Sequence, residues 1–438
     1  MKKTAFIFLT LILSFSACKK RENVVKYTAA DAEYLHQCEK KLTDIIVVDI
    51  FTPPVASRIY ANAMIAGYEA ARFAQKDSKS LMGQLKGFDA PPSVIEGQEY
   101  DFTLAAVTAL CETAKKVVFS KQEMQVFQEN MVKKLSERNE EEVNKRSITF
   151  GLAIAETAGK RIGSDNYKET RGMERFEVQT GKGLWVPTLP DYADAVEPHW
   201  RKMKTFVLDS AAQCKPEPPA AYSEDKNSPF WKELIEVYET SKKLTDEQDN
   251  ITTFWDDNPF VSRHKGHLMF QDKKMTPGGH WMAITQLICK EKQTDFYNTA
   301  KIYALTSIAL YEAFISCWDE KYRSVRVRPE TVIKDKIEKD WKPWLITPAF
   351  PAYTSGHSTV SAAAAEILTA LLGDNRAYTD TTEKEYGLPV RSFTSFRQAA
   401  SEASISRLYG GIHFRSDCEM GNKQGKKIAA LVLERVKF

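Results

Sequence analysis

The sequence predicts an all-α protein built from helical bundles, with two four-helix-bundle-like cores. Along most of the chain, apolar residues recur at intervals of three and four, which is the period of an amphipathic helix. Stretches in which apolar and polar residues alternate, as in a half-buried strand, are almost absent. Clusters of proline and glycine interrupt the helical pattern, and we expect loops at those points.

Nine segments carry the helical period. In the first, Ile59, Met64 and Tyr68 fall near one side of a helix. The predicted helices, in chain order, are Arg58–Ala74, Leu104–Phe119, Gln122–Ser136, Glu142–Ser164, Trp231–Lys242, His280–Trp318, Thr359–Leu372, Phe393–Leu408 and Lys423–Val436.

Residues 170–228 form the longest stretch without a clear period. Because this stretch contains Trp185 and Trp200, we expect an ordered excursion that helps to wall a cleft, not a disordered linker. We divide the chain into an N-terminal helical region at 19–245 and a second region at 246–438. We expect the two regions to pack as one unit.

Charge excludes some classes of partner. The 438 residues include 61 basic and 58 acidic side chains, for a formal net charge of +3. This balance argues against nucleic acid and against an anionic membrane surface as partners. Any attraction for an anion must therefore come from a local cluster of cations.

The first 18 residues predict export. Two lysines precede an apolar run at 5–15, and Ser16-Ala17 leads into Cys18, which is the pattern of a signal peptide with a lipobox-like end. Resemblance to bacterial lipoprotein signals implies cleavage before Cys18 and a lipid anchor on its thiol. Phe15 stands where lipoboxes prefer Leu, so plain signal cleavage is the alternative. We expect a periplasmic or outer-membrane-tethered lipoprotein, or a secreted protein.

Neither a later membrane span nor a cysteine-rich metal site is indicated. No later segment reaches the roughly 18 apolar residues that a spanning helix needs. Six further cysteines have no CxxC or zinc-like spacing, and their pairing stays open: Cys38, Cys111, Cys214, Cys289, Cys317 and Cys418.

Three short segments in the second region carry the candidate chemistry. The first is KYRSVRVRP at 321–329, which directly follows a predicted helix that ends near Trp318. Its cations fit an anion site if the chain leaving the helix brings Lys321 and Arg328 to one point. Taken alone, the segment fits a solvated basic stretch equally well.

The second segment, PAFPAYTSGH at 348–357, precedes a helix of small residues. Ser355 is a good N-cap, and Gly356 lets backbone approach a ligand closely. The N–H groups and dipole of a helix N-terminus favour an oxyanion. An ordinary capped helix with His357 in its first turn is the alternative.

The third segment, SRLYGGIHFRSD at 406–417, spans the break between two predicted helices. Arg407 and His413 can converge on one pocket at this break. Asp417, four residues after His413, can accept an imidazole N–H and so determine which ring nitrogen points inward. A histidine near an aspartate is also common in protein cores.

Together the three segments resemble the signature of the vanadium haloperoxidase and type 2 phosphatidic acid phosphatase superfamily. That signature is K, six residues, RP; then SGH; then SR, five residues, H, three residues, D, and every spacing matches. Thr354 departs from it, because Pro usually precedes SGH. The resemblance implies a tetrahedral oxyanion site at helix ends.

The resemblance also implies a role for each residue. Vanadate oxygens would be held by Lys321, Arg328, Ser355, the Gly356 N–H and Arg407. His413 would bind the metal, or attack phosphorus in a phosphatase, and His357 would be the acid/base catalyst, with Lys321 assisting as a point charge.

Features around the motif favour a haloperoxidase over a phosphatase. Membrane phosphatases of the superfamily carry several spanning helices, and its soluble acid phosphatases are much shorter than 438 residues. The segments 254–260 (FWDDNPF) and 276–281 (TPGGHW) resemble bacterial haloperoxidase-like proteins. In the first of them, Asp257 is a candidate to pair with a site arginine, and Phe260 is a candidate for the halide pocket.

Two aromatic residues are further candidates for the halide pocket. Trp318 resembles a tryptophan that lines the halide approach in algal and fungal enzymes, and Phe350 falls where fungal chloroperoxidases have Phe; core packing is the alternative for both. The whole chain most resembles the exported iodoperoxidases of marine flavobacteria. The resemblance implies vanadate as cofactor and hydrogen peroxide and halide as substrates, with iodide preferred and bromide poorer or unused. An exported acid phosphatase with a phospho-histidine is the alternative function.

Overall fold

The all-α prediction is confirmed by the computed structural model, which describes residues 27–259, 262–265, 268–271 and 274–438. Within these ranges the helices are α1 (Ala29–Val48), α2 (Pro53–Ala71), α3 (Phe102–Lys115), α4 (Lys121–Ser136), α5 (Glu141–Gly163), α6 (Tyr167–Arg171), α7 (Pro229–Lys242), α8 (Asp246–Phe254), α9 (Pro277–Glu291), α10 (Phe296–Ser324), α11 (Pro329–Lys336), α12 (Gly356–Leu372), α13 (Phe396–Tyr409) and α14 (Arg415–Arg435). Residues 1–18 and Phe260 lie outside the described residues, so the predictions for them stay predictions.

Two short antiparallel hairpins accompany the helices in the described ranges. In the first, β1 (Ser262–Lys265) pairs with β2 (Leu268–Gln271). In the second, β3 (Tyr378–Asp380) pairs with β4 (Arg391–Phe393), with Tyr378 opposite Phe393. The second hairpin lies between α12 and α13 and brings Asp380 into the buried interior.

The prediction of one helix over His280–Trp318 is wrong, because the chain breaks between α9 and α10. Gln293 adopts a left-handed conformation with φ 51°, and the Asp295 side chain caps α10 by accepting from the Asn298 N–H at 2.9 Å. Neither glycine nor proline marks this break, so the sequence gives no interruption in the apolar period at the point where the chain leaves the helix.

Four helices were missed, namely α1, α6, α8 and α11, and three of them have start signals in the sequence. Both α1 and α8 begin with a capping box, formed by Thr28 with Asp31 and by Thr245 with Gln248. The third, α11, begins at Pro329, a residue that favours the first helical position.

The core surrounds two helices that are buried on nearly every side. Every residue of α2 is buried, as are most residues of α10, and a helix that is apolar all round belongs in an interior. α10 packs against α2 from the N-terminal region and against α12 and α14 from the C-terminal region. One hydrophobic cluster therefore extends from Leu35 to Val436.

Residues 170–228 are ordered, as expected, although they contain little regular structure. Trp185 and Trp200 are fully buried. The Trp185 N–H donates to the Val325 carbonyl, and the Val327 N–H donates to the Gly183 carbonyl, both at 2.9 Å. The 170–228 stretch therefore packs against the segment that follows α10 and stabilises its position.

Two further expectations concerned membrane-spanning helices and the pairing of the cysteines. No helix in the described ranges is long and apolar enough to cross a membrane. The six cysteines of these ranges are buried free thiols, with the Cys38 and Cys111 Sγ atoms 4.0 Å apart.

Candidate active site

Lys321 lies in the last turns of α10, not beyond its end. The helix continues past Trp318 to Ser324, which corrects the predicted end, and Val325 then turns the chain in a left-handed conformation with φ 47°. Lys321 is fully buried, and its Nζ donates to the Pro351 and Ala352 carbonyls at 2.9 and 3.1 Å. Burial lowers the pKa of Lys321 to about 7.

Arg328 is also fully buried, at the start of α11. Its Nε donates to the Phe350 carbonyl at 2.9 Å and its Nη1 to the Ile412 carbonyl at 2.7 Å. Its Nη2 is buried without a hydrogen-bond partner among the described residues. Burial lowers the pKa of Arg328 to about 10, so the guanidinium stays charged and retains one donor for a ligand.

Ser355 and Gly356 form the N-terminus of α12, as predicted. The Ser355 Oγ accepts from the Ser358 N–H at 3.3 Å, and the Ser355 N–H donates to the Asp417 carbonyl at 3.0 Å. Thr354, the departure from the family pattern, donates from Oγ1 to Gln424 Oε1 at 2.7 Å. The threonine therefore gains a bond to α14 that proline would lack.

Arg407 extends from α13 toward the same point. Its Nη2 donates to the Trp255 carbonyl at 2.6 Å and its Nη1 to the Asp256 carbonyl at 3.3 Å. Nη1 also lies 3.4 Å from the His357 Nε2. Burial and then the Arg407 charge lower the pKa of His357 well below its usual value, so the ring is neutral at neutral pH.

The contact with Asp417 determines which nitrogen of the His413 ring carries the proton. Its Nδ1 lies 3.0 Å from the Asp417 Oδ2, and because an ionised carboxylate only accepts, Nδ1 carries the proton. Nε2 is then the lone-pair nitrogen and faces Arg328 Nη1 at 3.1 Å. Burial, followed by the charges of Arg328 and Lys321, lowers the pKa of His413 well below its usual value.

Sequence reasoning missed the residue that holds Asp417. Arg326 is buried, and its Nη1 donates to the Asp417 Oδ1 at 2.7 Å, while its Nη2 pairs with Glu233 at 2.9 Å. An extended segment would place side chains two residues apart on the same face, so the spacing between Arg326 and Arg328 gave no signal that Arg326 holds Asp417. Arg326 supports His413 through Asp417, whereas Arg328 contacts the His413 ring directly.

These side chains lie around one cavity, although Lys321, Arg328 and Ser355 are buried beside its wall and do not line it. Trp318 and Phe350, with ring centroids 5.0 Å apart, form an apolar part of its wall. No residue of 170–228 lines it. The stretch does wall a cleft, as expected, but that cleft is a separate surface cavity around Arg171 and His199. The other predicted residues in the cavity wall are Asp257, Gly356, His357, Arg407 and His413.

The prediction that Asp257 pairs with a site arginine is wrong. Its carboxylate instead faces His280, whose Nδ1 lies 3.1 and 3.3 Å from the two oxygens, and Arg407 is held by backbone carbonyls. The structure adds Asp380 and Glu383 to this group, which sequence reasoning missed because they lie about 100 residues further along the chain.

The arrangement fits a tetrahedral oxyanion. Lys321, Arg328 and Arg407 bring three cations to one buried point, and the nearby carboxylate of Asp417 is already paired with Arg326. The unpartnered Nη2 of Arg328 offers a donor that an oxyanion oxygen would satisfy. The helix N-terminus at Gly356 adds positive potential on the same side.

Comparison with known proteins identifies the family. Residues 301–438 match the family model described as the VCPO second helical-bundle domain. The chain is 44% identical to a protein whose solved structure is named the first bacterial vanadium-dependent iodoperoxidase, over 94% of this chain and 98% of that one, with a TM-score of 0.88. No match was found among curated proteins.

Two more distant structures share the fold. They are the holo and apo forms of a bacterial vanadium-dependent chloroperoxidase, each covering 88% of this chain, and 93% and 94% of those chains respectively. Their identities are 16% and 15%, and both TM-scores are 0.67. Given the first match over nearly the whole of both chains, this chain belongs to the vanadium-dependent haloperoxidase family.

Proposed function

We propose that this protein is a vanadium-dependent haloperoxidase that oxidises a halide with hydrogen peroxide to the hypohalous acid. The observation that carries the proposal is the convergence of two buried arginines and a buried lysine with His413, whose Nε2 carries the lone pair. Iodide is the proposed preferred halide and bromide the second. The support for iodide is the 44% identical iodoperoxidase.

The proposed residues would hold vanadate with complementary charges. Lys321, Arg328 and Arg407 would neutralise its oxygens together with Ser355 and the Gly356 N–H, and His413 would bind the metal through Nε2. When bound, vanadate supplies a Lewis-acidic centre that activates hydrogen peroxide for attack by halide.

His357 and the aromatic wall have separate proposed roles. The His357 Nε2 lies inside the cavity and is neutral at rest, so it can take a proton from hydrogen peroxide and return it to the departing oxygen. Trp318 and Phe350 exclude water from one side and leave a polarisable surface along which a halide can approach. Asp417 keeps the proton of His413 at Nδ1 throughout.

The alternative remains an acid phosphatase with a phospho-histidine, because the His413 Nε2 could equally attack phosphorus. The discriminating experiment removes vanadate, adds it back, and measures iodide oxidation beside p-nitrophenyl phosphate hydrolysis. We expect peroxidase activity only with vanadate, because the proposed site residues alone supply no redox chemistry. Phosphate should compete with the added vanadate and reduce the recovered peroxidase activity, since both are tetrahedral oxyanions.

Two variants serve as controls for this experiment. His413→Ala should lose both vanadate retention and activity, whereas His357→Ala should lose turnover and retain vanadate, because only the first removes a metal ligand. If vanadate restores nothing while the vanadate-free protein hydrolyses the phosphate ester, the phosphatase is the correct function. An unaffected His413→Ala variant would contradict the site assignment.

We also propose that the protein is exported and anchored by a lipid on Cys18. The support is the N-terminal pattern of lysines, apolar run, small residues and cysteine. An exported location would place the enzyme where environmental halide is present and where the hypohalous product is kept away from cytoplasmic thiols.

A further inference from the structure

A cluster of four buried side chains adjoins the active-site cavity. His280, in the first turn of α9, is fully buried, and the carboxyl groups of Asp257, Asp380 and Glu383 surround its ring. The cluster is assembled from three parts of the chain: the residues after α8, the start of α9, and β3 with the short 3₁₀ helix Thr382–Tyr386 that follows it. The proposed vanadate ligands include none of these four residues.

Asp380 determines which nitrogen of the His280 ring is available to a cation. The His280 Nε2 lies 3.0 Å from the Asp380 Oδ2. The other oxygen of this carboxylate accepts from the Thr382 N–H and hydroxyl at 2.9 and 2.7 Å, so Asp380 is fixed in place. A neutral ring that donates from Nε2 carries its lone pair at Nδ1, and a carboxylate in this position is usual behind metal-bound histidines.

Two carboxyl groups face the remaining ring nitrogen. The His280 Nδ1 lies 3.1 Å from the Asp257 Oδ1 and 3.6 Å from the Glu383 Oε1. A proton on Nδ1 would supply one donor to Asp257 and none to Glu383. Glu383 is only 3% exposed, and its Oε1 has no hydrogen-bond partner among the described residues. Because a buried oxygen without a donor is costly, a proton alone does not account for the arrangement.

The spacing of these atoms fits a small divalent cation. Asp257, His280 and Glu383 each offer one ligand atom, and the three atoms lie within 4.8 Å of one another. Zinc binds such atoms at about 2.0–2.2 Å, which in tetrahedral coordination separates neighbouring ligands by about 3.3–3.6 Å. A cation among them would give the Glu383 oxygen its missing partner. The imidazole ligand favours zinc over calcium or magnesium, which prefer oxygen ligands.

We propose that Asp257, the His280 Nδ1 and Glu383 bind a zinc ion at a second metal site, with Asp380 orienting the His280 ring. Because Asp257 lines the active-site cavity, a water molecule from the cavity would complete the coordination. The ion would join the three parts of the chain, so its binding free energy would add to the stability of the fold. It would also fix the backbone beside the 255 and 256 carbonyls that hold Arg407.

Zinc binding can be measured on the whole protein after a chelator has removed bound metals and vanadate. In isothermal titration calorimetry with zinc chloride, wild type should bind one zinc ion per chain. Its unfolding temperature should rise by a few degrees when free zinc is about 100 times Kd. Glu383→Gln removes a ligand and should abolish this binding. Asp380→Asn should weaken it roughly 10- to 100-fold, the usual effect of losing the partner of a metal-bound histidine.

Glu385→Gln is the matched control. Glu385 lies on the same 3₁₀ helix, is exposed and pairs with Lys40 at 3.1 Å, so this variant should bind zinc as wild type does. His413→Ala should also retain zinc, which separates the proposed site from the vanadate site. Without zinc, Glu383→Gln should unfold at the wild-type temperature, because the Glu383 Oε1 has no hydrogen bond to lose. Its loss of zinc binding would then not result from misfolding.

Three results would overturn the proposal. One is a folded wild type that binds no zinc, and another is a Glu383→Gln variant that binds zinc as tightly as wild type. The third is loss of zinc binding in Glu385→Gln or His413→Ala, which would place the ion elsewhere. His280 would then be an imidazolium held between two aspartates. Zinc binding requires no peroxidase activity, so failure of the zinc site and failure of the proposed function are distinguishable.

Discussion

Burial influences the charge state of the residues in this site as much as their chemical type does. Lys321 is wholly inside the protein, and its Nζ has two backbone carbonyls but no carboxylate as hydrogen-bond partners. A lysine in such a place is costly to keep charged until an anion arrives. The free energy of unfolding of the anion-free protein should therefore depend on pH through this residue.

We predict that Lys321→Met removes that pH dependence. The pKa of Lys321 is lowered to about 7 from 10.5, so between these values the unfolded chain binds more protons than the folded one, and stability rises with pH. From pH 6 to pH 9, vanadate-free wild type should gain roughly 1–3 kcal/mol relative to Lys321→Met. Urea denaturation at the two pH values measures the difference.

The exposed Lys342→Met is the matched control, and its pH dependence should follow wild type. Lys321→Met should also bind vanadate roughly 10- to 100-fold more weakly, the value of a charge-assisted hydrogen bond. Equal pH dependence in Lys321→Met and wild type would show that the lysine is charged in the vanadate-free protein.

At the scale of elements, the site depends on how closely α14 approaches α12. A Cβ at Gly425 would lie 2.1 Å from the Thr359 carbonyl, and one at Gly421 would lie 2.9 Å from the Ser355 carbonyl. Close contact lets the Ser355 N–H reach the Asp417 carbonyl. The two glycines therefore bring the loop that holds His413 up to the N-terminus of α12.

We predict that Gly425→Ala pushes α14 away from α12 and lowers the unfolding free energy by about 1–3 kcal/mol, the usual cost of overpacking. Vanadate affinity should fall with it, because the oxyanion donors of α12 and the His413 ligand would separate. Urea denaturation and vanadate titration measure the two effects.

Gly163→Ala is the control, because that glycine ends α5 with open space around its Cβ position. It should be neutral or add about 0.4–1 kcal/mol. A Gly425→Ala variant that matches Gly163→Ala in both measurements would refute the proposed role of the α12–α14 contact.

At the scale of the whole molecule, the active site depends on segments far apart in sequence. The carbonyls of 255 and 256, the end of α10, the start of α12 and the break before α14 meet at one cavity. The core beneath them includes α2 from the N-terminal region. The six described cysteines are buried thiols, so the fold shields them from the oxidising hypohalous acid proposed as the product.

Export can be tested on the whole protein. We predict that Cys18→Ser moves the protein from the membrane fraction to the soluble fraction and leaves its specific peroxidase activity unchanged, because Cys18 precedes the described fold. Cell fractionation with immunoblotting measures this, and Cys214→Ser, a buried cysteine of the fold, should stay with the membranes. A wild-type protein found soluble in the cytoplasm would contradict the proposal.

The helical class, the family and the three motif segments were predictable from the sequence, because helical period, caps and motif spacing are local properties of the chain. The folded structure was needed to show that α9 and α10 are separate, that Arg326 holds Asp417, and that Asp257 faces His280 instead of an arginine. The last two depend on which buried charged groups meet, and the partners are 91 and 23 residues apart in the sequence. Local patterns cannot encode such encounters, because burial and the low dielectric that selects each charge partner exist only after the helices have packed.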